Sequence, residues 1–271
     1  MNFAESVATW AVTEPTVMAV VLIGSRVQGN TDGVSRADSN SDWDFQFICS
    51  EPALFMDSGW TRSLGVRLHT YSVRRAAIGG VPKVAALFED VQADFVIIPA
   101  GQLRIARLLV KLGLHRNSFR LRRALQDIAL IVRPGWRFLK GGKRWEDFYR
   151  RIVTDISDPR LDNEEIRSLA VGFSCDVSWI LKKIQRGEIL AAQRMLHHSL
   201  AETNFRLLHE LRLRRGEQSY PEARRGELIL SDIELSMITV DATPNREALR
   251  SAVDKASSTC RSLVHALMGN A

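Results

Sequence analysis

A valine-rich apolar run, Ala19-Val-Val-Leu-Ile23, stops abruptly at Gly24-Ser25-Arg26. Sixteen residues further on, Asp42 and Asp44 open a second apolar run that continues to Ile48. Two such runs, each ended or opened by turn residues, read as strands of a sheet. In an extended strand residues i and i+2 share a face, so Asp42 and Asp44 project side by side. Adjacent like charges repel and resist burial unless a cation sits between them. Upstream, a Gly–Ser turn after a strand offers backbone N–H groups and a hydroxyl, which together make a cradle for phosphate. A phosphate cradle beside a carboxylate pair able to hold a divalent metal is the apparatus of nucleotidyl transfer.

These residues carry a resemblance. Gly24-Ser25-Arg26 followed by Asp42-Trp43-Asp44 resembles the signature of the DNA polymerase beta-like nucleotidyltransferase superfamily, Gly-Ser and then Asp-x-Asp. That superfamily has a third carboxylate on a later strand, and Asp94, at the head of Phe95-Val-Ile-Ile98, fits the position. Within the superfamily the chain is most similar to the aminoglycoside 6-adenylyltransferase (streptomycin adenylyltransferase) family. The similarity extends to Phe173, Trp179, Lys182, Arg186 and Glu188 in the second half, and to the segment Gly216–Gly226. It covers most of the chain, but only the first motif is specific. Leu139-Lys140-Gly141-Gly142 stands where the family's pattern has an acidic segment.

The resemblance implies ATP as donor, AMP as the group transferred, Mg2+ as the metal, and a hydroxyl of an aminocyclitol antibiotic as acceptor. It also implies that Lys182 and Arg186, four apart on one helical face, act at the nucleotide phosphates; the alternative is a solvated basic face. Asp42 and Asp44 are the expected metal ligands, and Gly24 and Ser25 the expected holders of the terminal phosphates. Arg26 has two readings, a contact to the triphosphate or an outward structural role. Asp94 also has two: a shared metal ligand, or the general base for the acceptor hydroxyl. A carboxylate beside metal ions is a weak base, yet a metal-bound hydroxyl is itself acidified, so a weak base suffices.

The expected fold class is α+β: an N-terminal mixed β-sheet nucleotidyltransferase domain with flanking helices, then an all-helical bundle. The boundary is placed at 145/146, giving 1–145 as the catalytic part and 146–271 as the acceptor-binding part. Strands are expected at about 16–23, 43–50, 66–73, 84–89 and 94–98, a sheet of about five, with a functional loop over 27–40. Helices are expected at 3–12 and 102–112. Asp162-Asn-Glu-Glu165 forms a capping box that opens an apolar stripe from Ile166 to Ile184. Further helices follow at about 188–214 and 245–268.

The 271 residues contain 37 Lys and Arg against 31 Asp and Glu, but the excess is local. Residues 104–151 hold 14 basic against 3 acidic side chains, whereas 1–103 hold 7 against 11. Such a block could bind nucleic acid; without a stacking or zinc motif, a partly solvated face that attracts ATP is preferred. For a cationic acceptor the loose acidic cluster Asp155, Asp158, Asp162, Glu164, Glu165 and Asp176 is the candidate pocket. Three dispersed cysteines, no apolar run long enough to cross a bilayer and no signal-peptide layout point to a reducing cytoplasm. The alternative to a small acceptor is a protein of this fold that modifies a protein or RNA, or one that binds nucleotide without chemistry.

Overall fold

The computed structural model describes residues 2–27, 41–76 and 79–269. The loop expected over 27–40 therefore lies almost wholly outside the described residues. The chain divides into two compact units, Met1–Pro159 and Arg160–Ala271.

In the first unit, six strands among the described residues form one mixed sheet in the order β3-β4-β5-β2-β1-β6. They are β1 (Val17–Ile23), β2 (Trp43–Cys49), β3 (Leu68–Arg75), β4 (Pro82–Phe88), β5 (Gln92–Pro99) and β6 (Trp136–Lys140). Strands β2 and β5 run parallel, and the other pairs are antiparallel. β1 is buried along almost its whole length, which explains a continuous apolar run instead of an alternating one.

On one face, helix α1 (Phe3–Thr13) and two short 3-10 turns cover an aromatic core. Phe3, Trp10, Phe45, Phe47, Phe55, Trp60 and Phe95 meet there. On the other face lie α2 (Ala100–Lys111), α3 (Phe119–Val132) and α4 (Gly142–Asp155). Leu125, Ala129, Trp145, Phe148 and Ile152 of α3 and α4 pack there with Ala19, Val21, Ile23 and Ile48 of the sheet.

Three of these elements correct the sequence reading. β6, α3 and α4 all lie in the basic block, where charge masks the apolar pattern. Some of that charge is structural. Lys140 donates to the carbonyls of Ala11 and Glu14, closing the end of α1. Arg107 donates to the carbonyl of Arg144 at 2.8 Å, and Arg133 to that of Ile156 while pairing with Asp158. Because α4 buries Trp145, Phe148, Tyr149 and Ile152 against the sheet, the first unit runs to Pro159, beyond the expected division at 145/146.

Gly141 makes the turn from β6 into α4 with φ +74°, and a Cβ there would lie 2.2 Å from the carbonyl oxygen of Met18. Gly141→Ala should therefore destabilise the first unit by about 1–3 kcal/mol, measured as a fall in the denaturant midpoint.

The second unit is all-helical. Its elements are α5 (Asn163–Gln185), α6 (Ile189–Met195), α7 (Glu202–Arg214), α8 (Gly226–Ile229), α9 (Asp232–Ile238) and α10 (Arg246–Met268). The expected capping box is present: the Asp162 carboxylate accepts from the N–H groups of Glu164 and Glu165 at 2.8 Å, and Glu165 accepts from Asp162 N–H. The expected stripe is the buried one, with Ile166, Phe173, Ile180 and Ile184 in the core. The helix expected over 188–214 is broken by a π-helical turn, Leu196–Ala201, between α6 and α7. No helix among the described residues is long and apolar enough to cross a membrane.

Candidate active site

The sheet places the acids. Asp42 immediately precedes β2, Asp44 is its second residue, and the parallel register sets Asp44 directly beside Asp94 of β5. Neighbours Phe45 and Phe95 turn into the aromatic core, so alternation sends Asp44 and Asp94 to the opposite face. One carboxylate oxygen from each of Asp42, Asp44 and Asp94 lies within 4.8 Å of the other two. All three side chains are half-buried. Three acids gathered this closely from two strands are held there by the fold against their mutual repulsion.

Gly24 closes this group. β1 ends at Ile23, which pairs with Asp44, and the chain turns at Gly24 with φ +80°. A Cβ at Gly24 would lie 2.7 Å from Asp44 Oδ2. The glycine thus serves twice: it adopts a left-handed backbone, and it leaves the space in which the Asp44 carboxylate sits. Ser25 follows in the turn, which is closed by Val27 N–H donating to the Gly24 carbonyl at 3.1 Å.

Arg26 is engaged structurally. Its Nε donates to the carbonyls of Ser41 and Asp42, each at 3.1 Å, and a terminal guanidinium nitrogen also donates to Ser41. The guanidinium lies over the Trp43 ring, 4.3 Å from its centroid. Arg26 therefore ties the Gly-Ser turn to the backbone of the Asp-x-Asp segment, so the two motifs are one mechanical unit.

Two features were not foreseen. Lys83 on β4 reaches across to Asp94, with Nζ 2.5 Å from Oδ2. The register explains it: Lys83 pairs with Val96, diagonal to Asp94 and on the same face. Reading the strand from Val84 left this lysine outside the sheet; the alternation of Lys83, Ala85 and Leu87 against Val84, Ala86 and Phe88 would have found it. The second is Gln46, next after Asp44 on the acid face. It accepts a 2.6 Å hydrogen bond from Tyr149 of α4, and both residues are buried. Burial pushes the Tyr149 phenol well above its usual pKa, so it stays a donor.

Lys182 and Arg186 lie in the second unit. Lys182 is exposed on the last turn of α5, and Arg186 follows as its C-cap, 3.9 Å from the Glu188 carboxylate. The acidic cluster proposed as an acceptor pocket is largely committed elsewhere. Asp158 pairs with Arg133, Asp155 accepts from Thr154, and Asp162 and Glu165 cap α5.

No family model and no curated protein matches the sequence. Solved structures do. An aminoglycoside 6-adenyltransferase from Bacillus subtilis aligns over 98% of this chain and 90% of its own, at 13% identity and a TM-score of 0.40. A nucleotidyltransferase-like protein from Exiguobacterium sibiricum 255-15 aligns over 98% of this chain and 77% of its own, at 12% identity and a TM-score of 0.36. The chain is thus similar to both along almost its full length. The functional reading rests on the geometry of the acids themselves.

Proposed function

We propose that this chain is a Mg2+-dependent nucleotidyltransferase that moves AMP from ATP to a hydroxyl of a small acceptor. The observation that carries the reading is the convergence of Asp42, Asp44 and Asp94 within 4.8 Å, beside a glycine turn that leaves room for them. The donor set fits a hard divalent cation, which takes carboxylate oxygens and keeps positions open for phosphate. Asp42 and Asp44 would hold the metal, with Asp94 completing the set or taking the acceptor's proton. When bound, the metal supplies charge to oppose that developing on the phosphate oxygens and acidifies a coordinated hydroxyl.

The chain's own residues do the rest. The Gly24-Ser25 turn offers backbone N–H groups and a hydroxyl to the terminal phosphates. Arg26 keeps that turn at a fixed distance from Asp42. Lys182 and Arg186 are the basic groups we assign to the phosphates from the helical unit. The acceptor we propose is an aminocyclitol of the streptomycin kind, on the sequence resemblance. The basic block 104–151 favours a second reading, transfer to RNA or to a protein.

The test is pyrophosphate release from ATP and Mg2+ with a panel of aminoglycosides that includes streptomycin. Release stimulated by one of them supports the small-acceptor reading. ATP binding without release on any of them moves the reading to a macromolecular acceptor, which labelled-AMP transfer to RNA or protein would then display. Absence of ATP binding overturns both.

Lys83 makes a separate prediction. A tethered cation on Asp94 competes with a metal for the same oxygen, so Lys83→Gln should tighten Mn2+ binding roughly fivefold, the modest gain expected of a partly exposed pair. Titration followed by electron paramagnetic resonance reads this without turnover. Unchanged affinity would mean that Asp94 is not part of the metal set.

A further inference from the structure

We propose that this chain pairs with a second copy of itself through the outer face of α5, the two helices running antiparallel about a two-fold axis at Cys175. α5 is 23 residues long and buries Ile166, Phe173, Ile180 and Ile184 in the core of its own unit. At about 100° per residue, Glu164, Ser168, Val171, Cys175, Trp179 and Lys182 fall in one stripe opposite that core, and the C-cap Arg186 continues it. Every residue of the stripe is exposed. Val171 and Trp179 keep 66% and 59% of their surface in solvent, an apolar centre on an otherwise polar face.

The order of groups along the stripe says what covers it. Val171 and Trp179 stand four residues either side of Cys175. Glu164 and Arg186 stand 11 residues either side, acid at the N-terminal end and base at the C-terminal end, where Lys182 adds a second base. A two-fold axis through Cys175 therefore sets Glu164 opposite Arg186 of the second copy and Val171 opposite its Trp179, each contact occurring twice. A parallel pair would set acid against acid and base against base. These charges are little used within the chain: neither Glu164 nor Lys182 forms an ion pair with another described residue, and Arg186 reaches Glu188 only at 3.9 Å. Exposed ion pairs contribute little energy, so here they set direction and register, and the Trp179 ring supplies the affinity.

Gly172 is an independent sign of the same partner. It sits in the middle of α5, where glycine weakens a helix relative to alanine. Nothing within the chain requires it: its backbone is ordinary helix, and a Cβ there would meet no atom within 4 Å. The bare backbone lies beside Val171 on the exposed side, so in the antiparallel pair it forms a notch for the Trp179 ring of the second copy. Ser168, Cys175 and Ser178 are small as well, which lets the two helix axes approach to the short end of the usual range, about 8 Å. Pairing and a triphosphate would compete for Lys182 and Arg186, so the association belongs to the nucleotide-free protein.

Sedimentation velocity of the full chain, reduced and free of nucleotide, would be run over a concentration series, with a concentration-dependent dimer as the expected result. Gly172→Leu fills the notch but has open space in its own chain, so the fold should stand. It should weaken the dimer at least about tenfold, the scale expected when a central tryptophan contact is lost. Glu164→Arg should also weaken it, and Arg186→Glu added to the same chain should restore it, because the exchange rebuilds both ion pairs. Diamide, which accepts the two thiol hydrogens as the S–S bond forms, should join Cys175 to its copy faster in the parent than in Gly172→Leu. The proposal is overturned if the parent stays monomeric at every concentration, if Gly172→Leu dimerises as the parent does, or if the exchanged chain recovers nothing over Glu164→Arg alone. Circular dichroism separates a lost dimer from a lost fold. Should the exchanged chain fail to fold, the parent and Gly172→Leu still decide.

Discussion

Asp42→Asn should lower Mg2+-dependent pyrophosphate release by at least about a thousandfold, the scale expected when the charge that holds a catalytic metal is removed. The same variant should unfold at the parent's denaturant concentration or slightly above it, because one of three mutually repelling carboxylates has gone. Loss of activity with retained stability is the signature of a site held together at the expense of the fold. Undiminished turnover would remove Asp42 from the metal set and with it the proposed chemistry. Gly24→Ala extends the test without touching a charge. Its methyl would lie 2.7 Å from Asp44 Oδ2 on a backbone at φ +80°, so either the turn or the carboxylate must move. Activity should again fall by orders of magnitude, now with a cost in stability of about 1 kcal/mol or more.

The second large effect is expected in the helical unit. Glu210→Ala should destabilise the helical unit by about 1–3 kcal/mol, because it removes a buried acceptor from the Leu161 N–H and from two arginines that are themselves partly exposed. The Glu210 carboxylate is only 3% exposed. It accepts from Arg160 Nε and a terminal nitrogen at 3.0–3.2 Å, from the Leu161 N–H at 3.0 Å and from Arg214 Nε at 2.8 Å. Burial by itself would raise this carboxyl's pKa. The hydrogen bonds from Arg160, Leu161 and Arg214, with the Arg160 charge, outweigh it and hold the pKa below the usual carboxylate value. A group whose pKa is depressed on folding stabilises fully above its unfolded value, about 4.3 for glutamate. That contribution is lost as pH falls from there through the folded value. Urea midpoints measured between pH 7 and pH 3 should therefore fall in the acid range for the parent, and fall less for Glu210→Ala.

Much of the site could be read from the sequence because its parts obey local rules. Asp42 and Asp44 announce themselves by spacing at the head of an apolar run, and Gly24 by its place after another. Asp94 stood out as the lone acid before Phe95-Val-Ile-Ile98. The helical half was equally plain, since the Asp162–Glu165 box and the stripe to Ile184 follow helical periodicity. What escaped depends on pairing between distant residues. Lys83 matters only through its diagonal relation to Asp94, and Gln46 only because Tyr149 arrives from more than a hundred residues away. β6, α3 and α4 were obscured by the basic block around them, of which Arg107, Arg133 and Lys140 serve as caps or ties and not as a ligand-facing surface. Arg26 was open between two roles, because a sequence does not say which carbonyls a guanidinium will find.

The late position of β6 has a consequence for how the chain comes off the ribosome. β2 follows β1 closely and can pair with one of its edges, but among the described residues the other edge is matched by Trp136–Lys140, which come more than a hundred residues later. Until those residues appear, the most apolar strand of the sheet offers a free row of N–H and C=O groups, the kind of edge that recruits other chains. Folding of the first unit is thus governed by a contact between its beginning and its end, a slow and collision-prone topology. Crowded expression at high temperature should send nascent chains into aggregates. Slower synthesis in the cold should recover them, without any change in the finished molecule.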